Sequence, residues 1–281
     1  MATRRQTLLR IAEAITELYG EIEARQIAEM VVLECGGIGR NELLVEPNKE
    51  LEISDLDRII GELCEWRPVQ YVIGRADFDG LSLEVAEGVL IPRPETEELV
   101  EWIASECQED ALILDVGTGS GCIAIALGCR LAKSRVWALD ISSEALNIAR
   151  INGEKYAPKV EFLQGDALAD FSTLVAEKLD VVVSNPPYIP QSDEPTMRRN
   201  VTDYEPATAL FVEDSDPLIF YRSIARNARK MLKPGGKLFY EIYELYADDM
   251  VAMLSVEGYV DIVVREDFRG KPRMICAKMS L

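Results

Sequence analysis

Leu112-Ile113-Leu114-Asp115-Val116-Gly117-Thr118-Gly119-Ser120-Gly121 runs, after Cys122, into Ile123-Ala124-Ile125-Ala126-Leu127. The first apolar residues read as a buried strand, the glycines as a turn, and the second apolar run as the start of a helix. Three glycines permit a tight turn and let a ligand lie against bare backbone. The next apolar run, Val136 to Leu139, ends at Asp140, nineteen residues past Gly121. An acid at the end of that strand can accept hydrogen bonds from ribose hydroxyls. A dinucleotide-binding loop would read G-x-G-x-x-G/A. Counted from Gly117 and Gly119, the third slot holds Cys122, and the third glycine comes one position early.

Helices and strands alternate around this stretch. Glu95 to Glu106 predicts a helix with Leu99, Trp102 and Ile103 inward, and Ser142 caps another after Asp140. Val160–Leu163 and Leu179–Val183 read as strands. Leu218–Met231 is helical, Lys237–Ile242 a strand and Tyr246–Ser255 a helix. Tyr259–Val264 and Met274–Ala277 close the chain without a helix between them. The expected fold class is therefore α/β: a mostly parallel sheet with helices on both faces and an antiparallel strand pair at one edge.

Upstream, Leu8, Ile11, Ile15, Leu18 and Ile22 recur at helical spacing. A second helix is expected from about Glu21 to Cys35, stopped by Gly36-Gly37, and a third capped by Ser54 with Leu56, Ile59, Ile60 and Leu63 on one side. Tyr71-Val72-Ile73 and the alternation Leu81, Leu83, Val85 predict short strands, with Asp79-Gly80 as a turn. The division expected is a small all-α bundle over 1–68, a β-hairpin linker over 69–94 and an α/β domain over 95–281.

Composition excludes several chemistries. The 281 residues include no histidine, which removes His-based acid–base catalysis, Ser-His and Cys-His pairs and His-ligated metal. Thirty basic against 49 acidic residues leave a net charge of −19, a poor footprint for general nucleic-acid binding. No apolar run approaches the ~20 residues of a membrane span. The N-terminus lacks a secretory apolar region, so the cytoplasm is the expected location. The six cysteines contain no C-x-x-C pair and are expected to be reduced core residues. A monomer is expected.

Asp-x-Gly-x-Gly-x-Gly with an acid closing the second strand resembles the S-adenosylmethionine site of class I (Rossmann-like) methyltransferases. Gly165-Asp166 after the third strand and Leu232-Lys233-Pro234-Gly235-Gly236 before the fifth are similar to the same family. The resemblance implies a cofactor site of Asp115, Gly117, Thr118, Gly119, Ser120, Gly121, Asp140, Asp166, Ala167 and Asn185. Ser184-Asn185-Pro186-Pro187-Tyr188 follows the fourth strand, where open parallel sheets bind ligands. Proline removes N–H groups and leaves rigid carbonyls. Asn185 adds an acceptor and Tyr188 a flat face, a combination suited to a planar NH₂ group. Catalytic candidates are Asn185, Pro186 and Tyr188; substrate-binding candidates are Asn185, Pro186, Pro187 and Tyr188.

Arg67-Pro68-Val69-Gln70-Tyr71-Val72-Ile73-Gly74, Phe78-Asp79-Gly80, Leu90-Ile91-Pro92-Arg93-Pro94-Glu95-Thr96-Glu97 and Gly270-x-x-Arg273 narrow the resemblance to the release-factor N5-glutamine methyltransferase family (the HemK/PrmC type), over nearly the whole chain. That resemblance implies methyl transfer to the glutamine of a Gly-Gly-Gln motif in bacterial class 1 peptide chain release factors, with the helical bundle recognising the partner. Alternatives are a nucleic-acid adenine N6-methyltransferase, disfavoured by charge, and a non-catalytic S-adenosylmethionine-binding interaction protein. Two positions depart from the family pattern: Ala167, where a larger residue is common and Leu168 is expected to substitute, and Tyr243, where Glu-Ile-Gly is usual. Glu95, Glu97 and Glu98 read as a solvated first helical turn, while the family resemblance implies Glu95 and Thr96 as cofactor neighbours; Asp193 and Glu194 read as loop residues, and Tyr188–Pro217, with Tyr204, Glu205 and Pro206, as a long substrate-side cover.

Overall fold

The computed structural model describes residues 2–280, and the chain divides into two compact units. The first comprises residues up to Arg75 together with Arg198–Tyr204. Its helices span Arg4–Tyr19, Glu21–Gly36, Arg40–Val45, Leu56–Cys64 and Val69–Ile73. Ile11, Ile15, Ala28, Val31, Val32 and Leu63 form its core. Gly37 ends the second helix in the left-handed conformation, as expected. Three local readings are corrected. Ile22 lies at the start of the second helix and is 79% exposed, so the first stripe stops short of it. The third predicted helix begins at Leu56 with Asp55, not Ser54, at its N-cap. Val69–Ile73, apolar enough for a strand, is a helical turn ended by Gly74 in the left-handed region.

Arg198–Tyr204 reaches this unit from far along the sequence. Both Glu23 carboxylate oxygens accept from the Arg198 guanidinium at 2.6 and 2.7 Å, and the Tyr204 hydroxyl donates to the Glu65 carbonyl at 2.8 Å.

The second unit holds Ala76–Met197 and the described residues from Glu205 onward. A hairpin, Arg75–Phe78 with Leu81–Glu84, begins at the boundary residue Arg75 and otherwise belongs to this unit. The turn residues Asp79 and Gly80 both have positive φ, the left-handed pair that an Asp-Gly turn supplies. Helix α1 (Pro94–Glu106) leads into β1 (Leu112–Val116), α2 (Cys122–Arg130), β2 (Arg135–Asp140), α3 (Ser143–Tyr156), β3 (Glu161–Gln164), β4 (Leu179–Ser184), α4 (Ile219–Met231), β5 (Leu232–Glu241), α5 (Ala247–Val256), β6 (Tyr259–Glu266) and β7 (Pro272–Met279). The seven strands lie in the order β6-β7-β5-β4-β1-β2-β3. Strands β1 to β5 are parallel, while β7 runs antiparallel to both β5 and β6.

Period-two alternation puts a core on each face of the sheet. Leu114, Trp137, Leu139, Val182 and Tyr240 pack under α4 and α5. Ile113, Val136, Ala138, Val181, Val183 and Phe239 pack under α1 and α2. Ser142 caps α3, its hydroxyl accepting from Ala145 N–H at 3.1 Å. All six cysteines are free, but only Cys276 is buried; Cys64 and Cys129 are exposed, correcting the expectation of core cysteines.

Asn152, fully buried on α3, joins the hairpin to the glycine turn. Its Nδ2 donates to the Glu84 carbonyl at 2.9 Å and the Ser120 carbonyl at 3.0 Å, and its Oδ1 accepts from Glu84 N–H at 2.7 Å. Asn152→Ala should destabilise the protein by about 2–4 kcal/mol in urea unfolding, because it strands buried backbone groups as well as deleting their partners. An unchanged midpoint would show that this joint carries no stability.

Candidate active site

The site forms where the crossovers diverge, between the carboxyl ends of β1 and β4, the switch point at which open α/β sheets bind ligands. A cavity of about 390 Å³ is lined there by Gly117, Gly119, Asp140, Asp166, Asn185 and Pro186, among others. Ser184 fixes the divergence: its hydroxyl donates to the Val116 carbonyl at 2.6 Å.

The glycine turn owes its shape to backbone geometry. Gly117, Gly119 and Gly121 all have positive φ, a region costly for residues with a Cβ. The N–H groups of Gly117 and Thr118 both donate to the Leu139 carbonyl, at 2.8 and 3.0 Å. Asp140 completes the grip. Its Oδ2 accepts from Gly119 N–H at 2.8 Å and its Oδ1 from Ser142 N–H at 2.9 Å. Burial raises the Asp140 pKa, opposed by these backbone donors.

The sequence candidates separate into two groups. Gly117, Gly119, Asp140, Asp166, Ala167, Asn185, Pro186 and Pro187 line the cavity. Asp115, Thr118, Ser120, Gly121 and Tyr188 do not. The first four are buried behind the wall, with Asp115 accepting from the Thr118 hydroxyl at 2.6 Å. Leu168 stands beside Ala167 on the lining, with Leu139 and Ile141 as further apolar wall.

Tyr188 is held from two sides. Its hydroxyl donates to Glu241 Oε1 at 3.1 Å, and its ring stacks on Tyr243 with centroids 6.0 Å apart. Tyr243 in turn donates to Asp193 Oδ2 at 2.5 Å, which accounts for both residues. Glu241, 2% exposed, also accepts from the Thr96 hydroxyl at 2.5 Å, and Thr96 Oγ1 lies 3.4 Å from Asn185 Nδ2.

In the sequence Glu241 falls within the expected fifth strand and Glu205 within the Tyr188–Pro217 cover, and neither has a visible partner. Glu205, 5% exposed, accepts from Ile91 N–H at 3.0 Å and from Arg93 at 2.6 Å. It thereby clips the Gly88–Leu90 wall to the Pro206–Ala209 wall. The available signal is Pro92-Arg93-Pro94, a stiff junction with a cation needing an acid. The α1 acids also have partners: Glu95 faces Arg269 at 3.7 Å, and Glu98 accepts from Phe268 N–H at 3.1 Å. The span after Tyr188 contains short ordered elements, including the parallel pair Ile189–Pro190 and Phe211–Val212. Arg75 pairs with Glu34 at 3.1 Å and Arg67 with Glu62 at 3.6 Å.

The Methyltransferase small domain family matches residues 94–202. The release factor glutamine methyltransferase of Bacteroides thetaiotaomicron is 41% identical over 272 residues, covering 95% of this chain and 97% of its own length. That of Streptococcus pneumoniae is 46% identical over 198 residues, 70% of this chain and 69% of its own. Among solved structures, a methyltransferase from Pyrococcus furiosus aligns with a TM-score of 0.53 at 17% identity, covering 72% of this chain and 90% of its own. The delta-N METTL16 MTase domain aligns at 0.54 and 18%, covering 77% and 96%. These two share the fold.

Asp115 makes the site sensitive to pH. Burial raises its pKa to about 7, with the Thr118 hydroxyl opposing and the Asp140 charge reinforcing the shift. An unfolded aspartate ionises near ~4, so folding takes up a proton between ~4 and ~7, and this group's contribution to stability falls as pH rises through that window. Asp115→Asn keeps an acceptor for Thr118 and removes the titration. Its melting temperature should fall less than the parent's between pH ~5 and ~7.5. Equal slopes would contradict a buried, protonated Asp115.

Proposed function

The chain belongs to the release factor glutamine methyltransferase family, and from that premise we propose that it methylates the side-chain N5 of the glutamine in the Gly-Gly-Gln motif of class 1 peptide chain release factors. It is an S-adenosylmethionine-dependent protein methyltransferase. The observation that carries the finer reading is the placement of Asn185-Pro186-Pro187 in the wall of the same cavity as the glycine turn.

The residues present fit the cofactor. The cavity has the volume of a small-molecule site, one polar end at Gly117, Gly119 and Asp140, and apolar wall at Leu139, Ile141 and Leu168. Asp140 would hold the ribose, Asp166 and Leu168 would bound the adenine, and the glycine turn would lie along the amino-acid portion. When bound, the cofactor supplies a methyl group on a positively charged sulfur, already strongly electrophilic.

An amide nitrogen is a weak nucleophile because its lone pair is shared with the carbonyl. The task left to this chain is alignment and hydrogen-bond polarisation rather than strong-base chemistry, in keeping with the absence of histidine. Asn185 Oδ1 and the Pro186 carbonyl accept the two amide hydrogens. As the nitrogen becomes positive during attack those hydrogens become more acidic, so the bonds strengthen toward the transition state. Tyr188, outside the cavity lining, is fixed by Glu241 and Tyr243 and anchors the end of the Asn185–Pro187 segment.

We assign partner recognition to the helical unit, whose buried residues are almost all packing residues. We take the partner to be protein rather than nucleic acid, given the net charge of −19, and the enzyme to act as a cytoplasmic monomer. Among the described residues no helix is long and apolar enough to cross a membrane, and no His, Cys, Asp and Glu cluster could hold a metal.

Labelled cofactor, intact release factor and mass spectrometry of the Gly-Gly-Gln peptide test the assignment directly: one methyl on the glutamine is expected. Asn185→Ala should lower single-turnover transfer by about 10²–10³, as for loss of one preorganised partner at a charge-developing atom. Near-normal transfer by that variant would refute the amide clamp. Asp140→Ala should raise the cofactor Kd by roughly 10–100-fold, through lost ribose contacts and a released Gly119 N–H, with a smaller effect on kcat at saturation. An unchanged Kd would place the ribose elsewhere.

A further inference from the structure

An asparagine amide has two chemically opposite ends, one that accepts and one that only donates. A clamp for an NH₂ group works only if Asn185 turns its oxygen outward. The residues that decide this lie far from Asn185 in sequence. Thr96 sits in the first turn of α1 and Glu241 ends β5.

The order of hydrogens follows from the chemistry of Glu241. Its Oε2 faces the Thr96 hydroxyl at 2.5 Å and its Oε1 the Tyr188 hydroxyl at 3.1 Å. Burial raises its pKa overall, with the Thr96 and Tyr188 hydroxyls and the Arg273 charge pulling the other way. Both hydroxyls are placed to donate to its two oxygens, and the carboxylate so held has no hydrogen to return once ionised. Thr96 has one hydrogen. Once it is given to Glu241, Oγ1 can only accept, and the group within reach is Asn185 Nδ2 at 3.4 Å. The NH₂ end of Asn185 is thereby turned inward, which leaves Oδ1 as its outward atom.

We propose that Thr96 and Glu241 are positioning residues of the methyl-transfer site, forming a relay of ordered hydrogens that holds Asn185 with Oδ1 toward the substrate and so selects an amide over a carboxylate. The proposal rests on reading Asn185 as the amide clamp. Two outward acceptors, Oδ1 and the Pro186 carbonyl, match a glutamine NH₂ group, which has two hydrogens. A glutamate carboxylate would present lone pairs to both. Reversing Asn185 would set its own NH₂ against that of the substrate.

The test uses the full-length enzyme, intact release factor at saturation and single-turnover transfer, with cofactor Kd by calorimetry and a thermal melt for each variant. Thr96→Val, nearly isosteric but without the hydroxyl, should slow transfer about 10-fold while cofactor Kd stays within about 2-fold, the loss expected for one neutral hydrogen bond that orients the clamp. Thr96→Ser should recover most of that rate. In an Asn185→Ala background, Thr96→Val should add less than about 2-fold, because Thr96 acts only through Asn185. Glu241→Gln, whose amide cannot accept from both hydroxyls, should show the same slowing and the same dependence on Asn185, and it stands in if Thr96→Val melts early.

Full-speed transfer by Thr96→Val, no rescue by serine, or a multiplicative loss in the Asn185→Ala background would overturn the relay. Near-normal transfer by Asn185→Ala would instead overturn the clamp on which the relay rests. Loss of transfer in Asn185→Ala with full speed in Thr96→Val sinks the relay alone.

Discussion

The carboxylate of Asp140 is the fastening on which the site depends. A strand that must turn at once into a helix leaves backbone N–H groups without partners. Here Gly117 and Thr118 give theirs to Leu139, and Gly119 gives its own to Asp140. The same carboxylate takes Ser142 N–H, at the N-cap of the helix that follows. One side chain thus ties the β1 turn to the β2 turn, and the floor of the cavity is set by covalent geometry and two charge-assisted hydrogen bonds rather than by mobile side chains. The backbone N–H of Gly119 points at protein, so what remains for a ligand is the carboxylate's spare lone pairs and the bare glycine surface.

An acidic chain without histidine still has to accommodate acids in its interior. Asp115, Glu205 and Glu241 are all buried, and each is met by a different device. Burial and the like charge of Asp140 favour the neutral form of Asp115, against the pull of the Thr118 hydroxyl. Glu241 collects two hydroxyl donors beside Arg273, and Glu205 has a backbone N–H and the Arg93 guanidinium. Buried charge is tolerated where donors are supplied. Two of these acids hold the walls and the clamp; the third supports the glycine turn from behind.

The methyltransferase fold is legible in the sequence because its signals are local. Alternation, the glycine turn and the Ser142 cap each sit within a few residues of what they determine, and they place β1 to β4 to within two residues; β5 begins five residues earlier than its expected start at Lys237, taking in the Leu232–Gly236 segment read as a turn. Tyr71–Ile73 misleads because so short an apolar run satisfies helix and strand alike. The supporting residues are hidden for a different reason. Asn152 meets Glu84 across 68 positions, Glu205 meets Ile91 across 114, and Thr96 meets Glu241 across 145. No window of sequence contains both halves of those bonds. Motifs announce which atoms face the ligand; the atoms that hold them in place become visible only when distant segments fold together.

Arg198–Tyr204 carries an implication for synthesis. The helical unit is encoded almost entirely before Arg75, yet its contacts at Glu23 and Glu65 use residues more than a hundred positions later. A chain emerging from the ribosome in order can assemble the helices early, but it cannot finish that unit until β1 to β4 and Tyr204 have also been made. The first unit to begin folding is therefore not complete before the second is under way. A gene cut after Arg75 would yield two polypeptides, one missing the Arg198–Tyr204 piece of itself and the other carrying that piece without its partner.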